Sequence, residues 1–496
     1  MSQADLETKM DTRPSSTDDK SSQELAKPVP SRPQQQATLA PDDPENPRLW
    51  PMGKKVLTTV TLCFWVLSFN YGSTAYVASI PDLQTRFNIS EEVAVLGVSL
   101  MIFGLGAGPL LWGPLSEIIG RQKVYRIAAL GYTAFSIGVA FSENIGTLIV
   151  LRFLAGFFGS ASINNVPASI GDYTTLHERL RLTAVYALCA FGGPSIGPLV
   201  SAFVDVDAGY RWNLRVIAIF CGVTSIGVAF LPETAGPQLL ERKLKRENPE
   251  LLPPKKSTGE NISALVTSMS RPIVFLFTEP VVMIVSLYLS ILFGILFGFF
   301  EAFTVVWLEI RDWTPTSFGL TYIGLGLGFF FGLGLVGSQG QKQYEKRAAA
   351  DKARGIPVQP EARLTLAYIG AFLCPAALFI FAWTAPFHQV HWIGPIIGEF
   401  LFSFGMILIF TAFIPFLIDN YQLTAASALA AGTAGRAIFG GVFPLFSIQM
   451  YHKLTVQGAT SLLAGLMCVC APIPFLFNKY GRTLRAKSKW AVAQEA

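Results

Sequence analysis

Twelve runs of about 20 predominantly apolar residues, each long enough to cross a hydrocarbon core of about 30 Å, constrain this chain more than any other feature. They lie near residues 56-78, 93-113, 124-142, 146-168, 182-203 and 213-231, and again near 282-305, 317-337, 363-384, 393-416, 424-448 and 458-477. A soluble domain cannot expose that much apolar surface. Charge agrees, since only 14% of residues are Asp, Glu, Lys or Arg against roughly 25% in soluble globular proteins. An all-α integral membrane protein is therefore expected. Six spans on each side of a charged segment suggest two six-helix bundles related by a repeat.

The remaining segments divide the chain. Residues 1-50, rich in Ser, Pro, Gln, Asp and Lys, hold too little apolar surface to offset the entropy of ordering and predict a disordered tail. A bundle over 51-232, a central loop over 233-280, a second bundle over 281-478 and a short tail over 479-496 follow. Lys and Arg gather in alternate loops, among them 48-55, 121-126, the central loop, 342-363 and 479-489, while Arg86, Arg211, Arg215, Arg311 and Lys453 stand on the other side. The positive-inside rule then puts both termini in the cytosol. It also accounts for the net charge of +5 through lipid headgroups, without nucleic acid. All six cysteines fall in apolar runs, so neither a disulfide framework nor a metal site is indicated. No charged-then-apolar leader precedes the first span, which is expected to act as the targeting signal. No phosphate-binding glycine loop with Lys-Ser/Thr occurs, so no nucleotide and no other cofactor is implied.

Between the second and third spans lies GPLSEIIGRQK, in which Gly113 and Gly120 permit a tight turn and Glu117, Arg121 and Lys123 hold it among headgroups. This stretch resembles the loop 2-3 signature of the major facilitator superfamily, with Glu117 where aspartate is usual. Span 4 carries Arg152, Gly156, Gly159 and Ser160 at helical spacing. They resemble the superfamily pattern whose arginine is associated with proton coupling. Span 5 carries GGPSIGP, in which Gly193, Pro194, Gly197 and Pro198 combine close helix contact with a bend. It resembles the antiporter motif, although Cys189 and Pro198 replace two of its glycines. The runs DDPENPRLW, PETAGPQLLERK, FFEAF, PEARL and LIDNYQLTAASALAA are similar to the fungal drug:proton antiporter group with 12 spans. The resemblance implies the major facilitator fold, with 12 transmembrane helices in two bundles.

Few charges lie inside the spans: Arg152, Glu301, Glu399 and Arg436. Such residues face the protein interior or a wet cavity. In the fold implied by the resemblance, helices 1, 4, 7 and 10 line a central cavity, which would gather Arg152, Glu301 and Glu399 with Asn70 and Tyr71. Burial favours a neutral carboxyl and a nearby arginine favours a charged one. Glu301 is accordingly expected to carry an exchangeable proton under the influence of Arg152, with Glu399 as the second candidate. The alternative is that Arg152 only braces neighbouring helices. Asn70, Tyr71, Asn164, Asn165, Arg436 and Phe297 are the candidate cavity residues; of Asn164 and Asn165, one is expected to reach substrate and the other to bond a neighbouring helix. Gly113, Glu117, Gly120, Arg121 and Lys123, with Gly193, Pro194, Gly197 and Pro198, are candidates for conformational switching.

These features point to a proton-coupled exporter of drugs, toxins or secondary metabolites in the plasma membrane, with small molecules, protons and lipid as partners and a monomeric state. The alternatives are an importer, facilitator or organic-acid transporter on the same fold, and a non-transporting nutrient receptor. No nucleophile-base pair or ligand cluster recurs within the spans, so an enzyme is not expected.

Overall fold

A computed structural model describes residues 39–486 apart from 41, 248, 252–257, 356–357 and 422–423, together with 488 and 490. Among them the regular elements are helices. The N-terminal bundle holds α1 (Met52–Thr74), α2 (Glu91–Ile119), α3 (Arg121–Ala140), α4 (Ile145–Tyr173, stepped at Ser160), α5 (Leu176–Ala208) and α6 (Tyr210–Ala229). The C-terminal bundle holds α7 (Pro280–Phe303, continued by a wider turn over Thr304–Ile310), α8 (Pro315–Leu335), α9 (Thr365–Thr384) and α10 (Ile393–Tyr421). Its last run, Ala425–Cys470, is interrupted at Thr455 (φ 60°, ψ 165°). The interruption separates α11 (425–454) from α12 (456–470).

Among the described residues ten helical stretches are long and apolar enough to cross a membrane, by length and composition alone. The other two crossings come from α3 and from the division at Thr455. Lipid explains the apolar side chains left outside, such as Leu130, Phe230, Phe372 and Val469. The sequence-based expectation of a loop between 448 and 458 gives way to a single left-handed residue, because six further helical residues remain compatible with the span.

The turn between α2 and α3 is shorter than the sequence suggested. Gly113 lies within α2, where an added methyl group would meet nothing within 4 Å. The chain reverses at Gly120 alone, whose φ of +98° only glycine adopts readily. The central segment carries two helices, Gly236–Glu247 and Thr258–Thr278. The second packs against α2, α7 and the Ala425–Cys470 run. Most of the tail expected to be disordered lies outside the described residues. Its end, near α1, is held by Asp43 to Lys243 (2.7 Å) and by Glu45 to Arg246. The hydrogen-bonded ammonium of Lys243 holds the Asp43 carboxyl below its usual value.

Two seams join the bundles. In one, Gly106 of α2 lies against Ala437 of α11, Gly441 of α11 against Phe103, and Gln449 donates to Glu92 at 2.7 Å. In the other, Gly319 of α8 lies against Ala202 and the Leu199 carbonyl of α5, and Gly326 against Ser195. Both seams run along the half of the molecule away from the end where the chain enters α1. That end is called the termini end below.

Candidate functional site

Arg152 is 2% exposed and each of its three guanidinium nitrogens donates a hydrogen bond. Nε donates to the Gly97 carbonyl (2.9 Å), Nη1 to Gly72 (2.7 Å) and Nη2 to Ser73 (3.2 Å), while the plane lies 4.4 Å from the Tyr76 ring. Gly72 and Ser73 belong to the last turn of α1, whose carbonyls lack helical partners. The arginine therefore caps α1 and ties it to α2. Among the described residues no ion pair joins it to Glu301, and in this state the guanidinium braces the two helices. A small cavity beside it, lined by Met101, Ser136, Val139 and Leu214, lies within the N-terminal bundle rather than between bundles.

The carboxylates of the C-terminal bundle are differently placed. Glu301, 3% exposed near the end of α7, has no hydrogen bond or ion pair among the described residues. It lies within electrostatic range of Glu91, across the bundle interface, and of Tyr322 and Tyr451. Glu399 is fully buried; Oε1 accepts from the Trp307 indole at 3.3 Å and Oε2 has no partner. Tyr322 of α8 is within range of both carboxyls, and its hydroxyl is buried without a partner among the described residues. Phe300, Phe303 and Phe318 surround its ring at 5.3 to 5.6 Å. Unanswered hydrogen-bonding capacity is costly in such surroundings, and a proton, water or ligand is what it can accept. Tyr322, Tyr451 and Trp307 were missed in the sequence, where aromatic residues in an apolar run carry no sign of their polar neighbours.

The other candidates scatter. Asn165 donates to the Trp112 carbonyl of α2 (3.2 Å), whereas half-buried Asn164 has no hydrogen bond among the described residues. Asn70 donates back to Val66 of its own helix (3.0 Å), and Tyr71 packs edge-on to Phe220 with its hydroxyl unpartnered. Phe297 is buried between Phe293 and Phe300. Arg436, half-buried on α11, donates to Thr433 (2.8 Å) and lies 5.4 Å from the Phe410 ring.

Gly193 and Gly197 sit where α5 crosses α1. A methyl group would come within 2.5 Å of Asn70 Cβ at the first and 2.9 Å of the Ala75 nitrogen at the second. Pro194 and Pro198 are buried in the same stretch, and the Pro198 carbonyl faces Gly319 of α8. At the termini end Arg121 reaches Asp172 (3.3 Å) and Ser116, while Glu117 and Lys123 are exposed without an ion-pair partner among the described residues. The acid that organises this turn is Glu233, after α6. It accepts from the backbone of Arg121 (2.9 Å) and Gln122 (3.3 Å) at the start of α3, where the helix dipole favours an anion. Sequence reading passed over it as part of a polar loop. Farther along, Lys55 bonds Glu178 (2.8 Å) and thereby holds that carboxyl below its usual value.

Residues 60–444 match the sequence profile of the Major Facilitator Superfamily. The chain is 40% identical over 459 residues to the efflux pump FUB11 of Gibberella moniliformis, covering 91% of this chain and 77% of that one. It is 37% identical to the multidrug transporter mdrA of Aspergillus fumigatus (92% and 76% covered) and 34% identical to the multidrug transporter FLU1 of Candida albicans (92% and 76%). Among solved structures, the xylose transporter XylE of E. coli in a partially occluded inward open conformation superposes with a TM-score of 0.61 at 17% identity, covering 86% of this chain and 98% of that one.

Proposed function

Because the chain belongs to the major facilitator superfamily, we propose that it is a proton-coupled exporter of small organic molecules that works by rocking two six-helix bundles about a site between them. The observation that carries the coupling is the pair of buried carboxyls, Glu301 and Glu399, which have no ion-pair partner among the described residues and share Tyr322 as a neighbour. Glu301 is the proton carrier in this reading and Glu399 the alternate. Arg152 is a positioning residue that fixes the end of α1. The seams at Gly106 and Gly319 hold the far half of the two bundles together in this state. The distribution of Lys and Arg supports a cytosolic termini end in the plasma membrane. The chain acts as a monomer and performs no covalent chemistry.

The energetics suffice. One proton moving down about 100 mV supplies about 2.3 kcal/mol, and one pH unit adds about 1.4 kcal/mol. Together they hold a substrate gradient of roughly 500-fold. The names of relatives at 34 to 40% identity support export. The test is a deletion and overexpression screen across chemically diverse toxic compounds, with intracellular accumulation followed before and after an uncoupler. Expression should lower accumulation of some compounds, and the uncoupler should abolish the difference. Expression that raises accumulation irrespective of the proton gradient contradicts the reading and favours a facilitator.

A further inference from the structure

Arg436 is the one buried-span cation whose charge the rest of the site leaves unanswered among the described residues. Arg152 is met by three carbonyls. Arg436 has the Thr433 hydroxyl of its own helix and the face of Phe410, and no carboxylate within ion-pair distance. Counting about 1.5 Å per residue from the start of α11 puts it roughly 16 Å deep, beyond the reach of lipid headgroups. It is only partly buried, and its neighbours Phe410 and Tyr186 come from different bundles.

The surroundings come from both bundles. Phe410 of α10 meets Phe191 of α5 at 5.3 Å, and Phe191 meets Phe329 of α8 at 5.5 Å. Tyr186 of α5 lies within electrostatic range of the guanidinium, with its hydroxyl donating to the Ile163 carbonyl at 2.7 Å. Ala437, the next residue, seals against Gly106 of α2. A guanidinium without a carboxylate partner among the described residues is thus set beside the interbundle seal, against Phe410, from which a run of ring contacts leads to Phe191 of α5 and Phe329 of α8. Desolvating a cation without an anion is costly, and a bidentate carboxylate is the complement its planar fork fits best.

Resting on the transporter reading above, we propose that Arg436 receives an anionic group of the transported molecule, whose apolar body lies against Phe191, Phe329 and Phe410. The substrate class is then an aromatic or amphipathic organic acid that is ionised at neutral pH. Because Phe191 belongs to the N-terminal bundle and Arg436, Phe329 and Phe410 to the C-terminal one, a bound acid touches both bundles, and the rocking motion carries it past the seal.

The test uses the full-length purified protein in neutral detergent and measures binding of 1-naphthylacetate and phenylacetate beside their primary amides. At least one acid should bind about tenfold or more tighter than its amide, as expected when a charge-assisted bond is lost. Arg436→Gln should bring acid and amide to equal affinity, and Arg436→Lys should keep a preference for the acid, which separates loss of charge from loss of fold. Equal binding of acid and amide to the wild type, no acid binding, or an undiminished preference in Arg436→Gln overturns the proposal. These outcomes leave the export reading intact, because the accumulation screen judges it independently; conversely, absence of export would not change the acid-to-amide ratio.

Discussion

Arg152 and Glu399 occupy corresponding places in the two bundles. Each lies near the start of the fourth helix of its half, and each reaches toward the end of the first helix and a glycine on the second. Arg152 finds Gly72 and Ser73 of α1 and Gly97 of α2. Glu399 finds Trp307 in the extension of α7, and its free oxygen faces Gly324 of α8. What differs is the sign of the charge. Helix ends and helix flanks supply carbonyls, so a buried cation in this position is answered by the backbone, whereas a carboxylate must find side-chain donors and here finds one indole. The same architecture therefore makes a brace in one half and an underfilled acid site in the other. Glu301, with no hydrogen-bond or ion-pair partner among the described residues, extends that site toward the bundle interface.

Removing each charge is the strongest way to break this comparison. Arg152→Gln strands carbonyls at the end of α1 and opens space among Tyr76 and Tyr132, so it should cost on the order of 3 kcal/mol. Glu399→Gln keeps the shape and removes a charge that little stabilises, so its cost should stay within about 1 kcal/mol. Thermal unfolding of the purified variants reads both. Equal destabilisation by the two would mean that Glu399 is also a brace.

Seams inside each bundle offer a second contrast, Gly197 where α5 crosses α1 and Gly435 where α11 meets α7. At Gly197 an added methyl group meets backbone, the Ala75 nitrogen and the Tyr71 carbonyl at 2.9 Å, whereas at Gly435 it meets only the Ser290 hydroxyl at 2.8 Å. Backbone cannot step aside and a serine rotamer can. Gly197→Ala should therefore cost about 1 to 3 kcal/mol and slow transport, and Gly435→Ala less than about 1 kcal/mol. A reversed order in unfolding and transport assays would put the rigid seam in the other half.

Much of the frame was legible in the sequence because hydropathy and glycine spacing report on lipid and on close packing. The spans, the α5 contact through Gly193 and Gly197 and the interior direction of Arg152 follow from those signals alone. The partners of the buried charges did not, because backbone carbonyls have no residue letter and Tyr322 or Trp307 look like ordinary apolar filling. Gly113 was misplaced for a related reason. A glycine before a proline and a cluster of charges looks like a turn, yet the reversal needs only the positive φ of Gly120, and Glu233, more than 100 residues later, supplies the anion that holds it.

The smallest effects are expected at the termini end, where the two halves repeat a pair. Arg121 at the start of α3 meets Asp172 at the end of α4, and Arg363 just before α9 meets Asp419 near the end of α10 at 3.0 Å. Side chains of the first pair are 12% and 26% exposed and those of the second 30% and 32%, and Arg121 also bonds Ser116. Arg121→Ala should cost about 1 to 2 kcal/mol and Arg363→Ala at most about 1 kcal/mol, with the second effect fading in high salt. Equal, salt-insensitive losses would show that both turns are equally buried supports.

The division of labour between a brace and an acid site is tested most directly by proton-driven transport in Glu301→Gln. Purified wild type and variant are reconstituted in proteoliposomes, and a compound identified by the accumulation screen is followed under an imposed pH gradient and, separately, under its own gradient. The account predicts that the variant folds and exchanges substrate down its gradient but no longer accumulates it when only the pH gradient is present. A well-folded Glu301→Gln protein that still uses the pH gradient to accumulate substrate would contradict it.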